Sequence, residues 1–415
     1  SSTPATIMIY TGGSMAGHDL QTWLFRLLSH LLSRGSLRLV FSDGSTITLG
    51  TGSPTATVHI KNRAALWRIL WRPSLELGEL YTEGAWEADG NDLMDALHVL
   101  MGLRLRAIPW PSPLCWLHAM VHENNRLNRG RRQARLHYNN DVTLFSAFLD
   151  EDLHYSCAYF RKPGFSLHEA QQAKAVHIAR KLRLPSQAHV LDIGSGWGAM
   201  AIHLARHHGA QVTGLNVSDA QNRVAEQRAH QLGLDSQLRF LTEDYRQHQG
   251  HYDAIVSIGM FEHVGRPWYK HYFRTISRLL KPDGVALVHT IGRSSQPGGT
   301  NPWIRRHIFP GGYVPALSEI SAAVQASGLA ILDVEVWRLH YAMTIQHWRT
   351  SFEKNWNDLA TRFGETFCRM WRFYLAASEA SFRWDDLVVF QVQLGFAETT
   401  RCPITREYLY ADNPA

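Results

Sequence analysis

The run VLDIGSGWG at residues 190–198 constrains this chain more than any other stretch. An apolar string with strand character meets three glycines, Gly194, Gly196 and Gly198, and passes directly into the helical pattern WGAMAIHLARHH. Such a loop serves a tight turn whose backbone approaches a ligand closely, because a Cβ at these positions would occupy the ligand's volume. Taken alone it fits a dinucleotide site or a plain packing turn. Its surroundings narrow the choice. AQVTGLNV, LRFLTED, YDAIVSIG and GVALVHTIG read as further strands separated by helical stretches, and the preceding helix FSLHEAQQAKAVHIARKL opens with Ser166 and Glu169 at capping-box spacing. Alternation of this kind predicts an α/β fold with a mostly parallel, doubly wound sheet and ligands at the carboxyl ends of its strands.

The chain has 415 residues, enough for two or three domains. Upstream of the α/β region lies a smaller α+β pattern. LRLVF (37–41) and TITLG (46–50) predict a hairpin, with Asp43-Gly44 supplying the positive φ angles of a primed turn, and ATVHI (56–60) adds a third strand. RAALWRILWR (63–72) places Leu66, Ile69 and Leu70 on one helical face with Arg68 and Arg72 opposite. An ordinary surface helix is the commoner meaning of that pattern; an interfacial helix on anionic headgroups, aided by Trp67 and Trp71, is the sharper one. The division expected is a docking domain at 1–110, a basic linker helix at 111–136 containing the arginine run 126–135, and a catalytic domain at 137–415.

Lys and Arg exceed Asp and Glu by 42 to 36, a surplus of six that favours acidic partners without choosing among them. The four cysteines, Cys115, Cys157, Cys368 and Cys402, are too scattered for a disulfide framework or a CxxC metal site, so a reducing compartment and no metal are expected. The best apolar stretch, Leu97 to Val121, is broken by Arg104, Arg106, Pro109, Pro111 and Pro113, so no membrane span is expected. The first residues lack the basic and apolar regions of a secretory signal.

The glycine spacing is GxGxG rather than GxGxxG. Together with the end of the second strand about twenty residues on, and Glu243-Asp244 after the third, it resembles the S-adenosylmethionine site of class I (Rossmann-like) methyltransferases. There the first loop meets the methionine part, strand two the ribose, and an acid after strand three the adenine. The second strand ends at Asn216, where that pattern favours an acid; an amide still hydrogen-bonds a diol. Ser218 and Gln221 form a second capping-box pair, compatible with a ligand role for Gln221.

Six further strings, YSCAYF (155–160), LDIGSGWG, YDAIVSIGMFEHVG (252–265), LVHTIG (287–292), IFPGGYVP (308–315) and LHYAMTIQHW (339–348), resemble the cyclopropane-fatty-acid synthases and their mycolic-acid relatives over roughly residues 135 to 400. The resemblance implies that Tyr155, Ser156, Gly194, Gly196, Asn216, Val217, Gln221, Asp244, Tyr245 and Ile258 bind S-adenosylmethionine. It also implies a bicarbonate site made by Cys157 through its backbone amide, Glu262, His289, the backbone of Ile291, and Tyr341. Singly, each of these has an ordinary alternative as core or surface; jointly they favour chemistry. The segment HYNNDVTLF (137–145) departs from the family pattern at Asn139 and Asp141.

These residue types suit the chemistry that the resemblance implies. An alkene is a weak nucleophile, so its attack on a sulfonium methyl depends on positioning. Ring closure then needs a base to take a proton from the added methyl, and an aromatic lining, here Phe160, Phe261, Phe309, Tyr313 and Trp348, keeps water from the cation. The expected enzyme adds a methylene from S-adenosylmethionine to the cis double bond of unsaturated acyl chains in a phospholipid bilayer. It is expected to be cytoplasmic, peripheral on the inner face of the cell membrane and homodimeric, with no nucleic-acid partner. The alternatives are C-methylation giving methyl-branched or methylene chains, and a non-catalytic lipid-binding protein.

Overall fold

The computed structural model describes residue 29 and residues 32–89, 92–102 and 142–410. The basic linker at 111–136 and residues 137–141 of the departing segment lie outside the described residues. Two compact units divide the chain, one of residues 1–112, 301–306 and 348–385, the other of residues 113–300, 307–347 and 386–415.

The first unit holds a four-stranded sheet in the order β2-β1-β3-β4, made of β1 (Ser36–Phe41), β2 (Thr46–Gly50), β3 (Thr55–Ile60) and β4 (Trp86–Ala88). Alternate side chains Leu37, Leu39 and Phe41 of β1, and Ala56, Val58 and Ile60 of β3, are buried, as a sheet with one packed face requires. The hairpin is present, but its turn is not the predicted primed type. Gly44 alone takes a positive φ, +80°, and its N–H donates to the Phe41 carbonyl at 2.9 Å. Asp43 keeps an ordinary φ because its carboxylate accepts from the Ser45 N–H at 2.9 Å, and a Cβ disfavours the left-handed region.

The grouping is not continuous in sequence as the expected segments 1–110, 111–136 and 137–415 are. The helix Glu365–Trp384 belongs with the N-terminal strands, because Arg369 donates to the Tyr81 carbonyl at 2.8 and 3.0 Å and to Glu87 at 3.1 Å, and Phe373 packs on Tyr81 and Trp86. Trp348, named as a site aromatic, falls in this unit.

The helix Arg63–Trp71 starts at Asn62, whose side chain caps the Ala64 N–H. Among its described side chains it buries Ala65, half-buries Leu66 and Ile69, and leaves Trp67 48% and Trp71 85% exposed. Arg68 pairs with Glu76 and Glu83, and Arg63 with Asp43, so among the described residues Arg72 is the arginine of this helix end without an ion pair.

The second unit is the α/β domain. Its strands are β5 (His189–Ile193), β6 (Gln211–Asn216), β7 (Leu238–Thr242), β8 (Tyr252–Ile258), β9 (Leu280–Arg293), β10 (Ala330–Trp337) and β11 (Leu387–Gly395), in the order β10-β11-β9-β8-β5-β6-β7. The β5–β6, β6–β7, β5–β8 and β8–β9 pairs are parallel, whereas β11 runs antiparallel to both β9 and β10. The doubly wound core matches the sequence reading; the antiparallel pair at one edge was not anticipated. The helix Leu167–Leu182 begins in the expected capping box, with Glu169 accepting from the Ser166 N–H at 2.8 Å. Strand order reverses between β5 and β8, which opens a crevice at their carboxyl ends.

Candidate active site

A cavity occupies that crevice, and all ten residues assigned to the cofactor line it. The glycines divide their labour. A Cβ on Gly194 would lie 2.8 Å from the Cβ of Met260, and one on Gly198 would lie 2.9 Å from Ala225 and Phe240, so both serve close packing. Gly196, at φ +55°, would present its Cβ to open space with nothing within 4 Å, and this is the position where a side chain would compete with a ligand.

At the end of β6, Asn216 is consumed by the protein itself. Its Oδ1 accepts from the Val217 and Ser218 amides at 2.8 and 3.2 Å, and its Nδ2 donates to the Gly196 carbonyl at 3.3 Å and Gln221 Oε1 at 2.9 Å. Asn216 therefore ties the glycine loop to the next helix. The second capping box is half formed for the same reason: Ser218 accepts from the Gln221 N–H, while the Gln221 side chain turns to Asn216 and leaves its amide nitrogen for a ligand. Asp244 is clamped by Arg246, with Nε to Oδ1 at 2.8 Å and Nη2 to Oδ2 at 2.7 Å, and a carboxylate so held keeps lone pairs for a further donor. Tyr245 is buried edge-on to Tyr272, and Ile258 ends β8. On the opposite wall Tyr155 packs against Phe145 at 5.1 Å, and Phe145 also meets Trp197 at 4.8 Å, so the described tail of the departing segment buttresses the site.

Three lining residues escaped the sequence reading. Asp192 is 2% exposed, its Oδ2 has no partner, and burial pushes its carboxyl up to about 7. An acid inside an otherwise apolar buried strand was the available signal. Lys174 is fully buried, donates to Ser156 Oγ at 2.7 Å, and is lowered to about 8, chiefly by burial. His154 is oriented by buried Asp150, which accepts from its backbone N–H at 2.8 Å and meets Nδ1 at 2.9 Å, while Nε2 is buried without a partner. Among the described residues one group of potential metal ligands gathers, Asp150, Asp152 and His168, but Asp150 is held by His154 and Asp152 by Arg228.

The five residues assigned to bicarbonate are held by two sets of contacts. In the first, Glu262 Oε1 accepts from the Ile291 N–H at 2.6 Å, while Oε2 is buried without a partner. Ile291 thus spends on Glu262 the amide that an anion would use, and acts by orienting that carboxyl. Burial pushes Glu262 up to about 7. Two residues back along β9, His289 is held far below its usual range by burial and by the Lys174 and Lys181 cations. Its Nδ1 accepts from Gln391 Nε2 at 3.1 Å, which leaves a neutral ring with Nε2–H as donor. In the second set the Ala158 N–H, beside Cys157, donates to Thr344 Oγ1 at 3.0 Å, one turn along the helix Leu339–Lys354 from buried Tyr341. Burial raises the Cys157 thiol, which donates to the Ala158 carbonyl, so it is no nucleophile. Trp337 packs 5.5 Å from His289 and 4.8 Å from Tyr159. Of the aromatics, Phe261 proves to be core, stacked on Tyr269 at 4.3 Å, and the Tyr313 hydroxyl donates to Glu319.

A family profile for mycolic acid cyclopropane synthetase matches residues 125–392. The cyclopropane-fatty-acyl-phospholipid synthase of Escherichia coli is 34% identical over 370 residues, 89% of this chain and 92% of that protein. The tuberculostearic acid methyltransferase of Mycobacterium tuberculosis is 35% identical over 385 residues, 88% of this chain and 89% of that protein. Among solved structures, a mycolic acid cyclopropane synthase complexed with SAH and CTAB superposes with TM-score 0.61 at 30% identity, covering 64% of this chain and 97% of that one.

Proposed function

The chain belongs to the mycolic acid cyclopropane synthetase family and is an S-adenosylmethionine-dependent methyltransferase, and from that premise we propose that it converts cis double bonds of unsaturated phospholipid acyl chains to cyclopropanes. The observation that carries the reading is the Glu262 carboxyl, buried, half-satisfied by Ile291 and raised to about 7, on the strand ends beside the cofactor cavity.

The residues fit both groups that the reaction requires. Gly196, Asp192 Oδ2 and the Gln221 amide would hold S-adenosylmethionine, and Glu262 Oε2 with His289 Nε2–H would hold bicarbonate. When bound, the first supplies an electrophilic methyl and the second a base. A carboxyl that still holds a proton half the time near pH 7 can share it with an anion rather than repel it, and neutral His289 donates a second hydrogen bond. Buried Tyr341 would add a phenol donor. Glu262 and His289 thereby keep a base where a proton leaves the newly added methyl, and the buried aromatic surround keeps water from the cationic substrate.

Among the described residues no helix is long and apolar enough to cross a bilayer. Exposed Trp67 and Trp71 with Arg72 support docking on anionic headgroups at the inner face of the cell membrane, and the family resemblance supports a cytoplasmic homodimer, which sedimentation velocity tests. Similarity to the tuberculostearic acid methyltransferase, as high as that to the cyclopropane synthase, favours a second reading in which the product is a methyl-branched or methylene chain. Incubating purified protein with S-adenosylmethionine and unsaturated phospholipid vesicles, then extracting the lipid, separates these outcomes. A gain of one CH2 with cyclopropane protons by NMR is expected; olefinic methylene signals favour the second reading, and unmodified lipid overturns both.

A further inference from the structure

The cofactor cavity is bordered by two buried groups of opposite charge that do not neutralise each other. Asp192, at the end of β5, has an unpartnered Oδ2, and burial alone perturbs it. Lys174, in the helix Leu167–Leu182, is 0% exposed and forms no salt bridge among the described residues; its one hydrogen bond there goes to Ser156 Oγ at 2.7 Å. A buried ammonium is costly unless an anion meets it, and the Asp150 carboxylate, which supports Lys174 by its charge alone, is hydrogen-bonded to His154 instead. Because Ser156 Oγ accepts from Lys174, its own O–H proton is free for another acceptor, and Ser156 lines the cavity.

We propose that Lys174, acting through Ser156, is the positioning residue for the α-carboxylate of the cofactor's methionine portion, opposite Asp192, so that the cavity recognises an amino-acid zwitterion. The inference rests on the cavity being the S-adenosylmethionine site. A second source of the same anion chemistry is bicarbonate, since Cys157 and His289 also feel the Lys174 charge. The cofactor carboxylate is favoured because the group Lys174 touches is Ser156, a cavity-lining hydroxyl, whereas neither Cys157 nor His289 lines the cavity.

Calorimetric titration of the full chain with S-adenosylhomocysteine and with its decarboxylated analogue, which keeps the ammonium and loses only the carboxylate, tests this. Wild type should prefer S-adenosylhomocysteine by at least about tenfold, as a charge-assisted hydrogen bond warrants. Lys174→Met should abolish most of that preference while leaving the analogue's affinity within about twofold. Ser156→Ala, the milder change should Lys174→Met not fold, should do the same. Equal loss for both ligands would show a merely structural lysine and overturn the proposal. A preserved preference with a steeper bicarbonate requirement for turnover would overturn it in favour of the other anion. If wild type binds neither ligand, the cofactor-site reading fails and takes the inference with it.

Discussion

The Ile291 amide donates to one oxygen of the Glu262 carboxyl at 2.6 Å, and the other oxygen is buried with no partner. A strand of the sheet thus fixes the rotamer of an acid that the 3-10 turn Phe261–His263 delivers from the end of β8. The Thr290 hydroxyl also supports this carboxyl, and because an unpaired buried acceptor is destabilising, the remaining oxygen is where a donor from a ligand would be favourable.

Glu262→Gln retains an acceptor for Ile291 but cannot share a proton with an anion. Turnover is expected to fall by about 100-fold or more, the range of general acid–base contributions. Affinity for S-adenosylhomocysteine should be unchanged. Single-turnover methyl transfer to unsaturated lipid and calorimetric titration read the two separately, and unchanged turnover would remove the bicarbonate argument.

The same carboxyl makes stability depend on pH. Its folded value, about 7, lies above the ordinary 4.5, so the folded chain binds the proton more tightly than the unfolded one. That advantage is full below pH 4.5 and is lost as pH rises to about 7. At about 1.4 kcal/mol per tenfold change in proton affinity, it amounts to roughly 3 kcal/mol. Asp192, also near 7, adds with the same sign. Denaturant unfolding without ligand should show stability falling across this window in wild type and falling less in Glu262→Gln; parallel profiles would contradict the carboxyl's raised affinity.

Gly194 and Gly196 should respond differently to alanine. Gly194→Ala forces a Cβ to 2.8 Å from Met260 and should lower the melting temperature markedly. Gly196→Ala meets no protein atom within 4 Å, so its folding cost is that of a left-handed alanine, about 1 kcal/mol. Its cofactor affinity should nevertheless drop by at least about tenfold, because the methyl enters ligand volume. Thermal melts paired with titration distinguish the two; retained affinity in Gly196→Ala would place the ligand elsewhere.

Trp67 and Trp71 should matter to vesicles and not to chemistry. Burying an exposed large apolar side chain is worth about 1.5–3 kcal/mol, so replacing both by alanine should reduce partitioning onto anionic vesicles at least tenfold. Turnover on detergent-dispersed lipid should stay at the wild-type level. Co-sedimentation measures the first, and equal partitioning by wild type and variant would exclude this helix as the docking element.

The sequence by itself determined the α/β alternation, the glycine loop before a helix and the Ser166 capping box. Each rests on local rules: strand and helix periods, turn glycines, and the fact that residues following parallel strands meet at one sheet edge. Only the tertiary structure decided how the polar groups are shared. Asn216 is spent on Gly196 and Gln221, Asp244 on Arg246, and Ile291 on Glu262, whereas Asp192 and Lys174 are left without ion partners. It also decided that the helix Glu365–Trp384 returns to the N-terminal strands, through Arg369 and Phe373. Periodicity reports which face of an element is apolar. Which donor meets which acceptor across tens or hundreds of residues depends on packing, because a hydrogen bond forms or fails over a few tenths of an ångström.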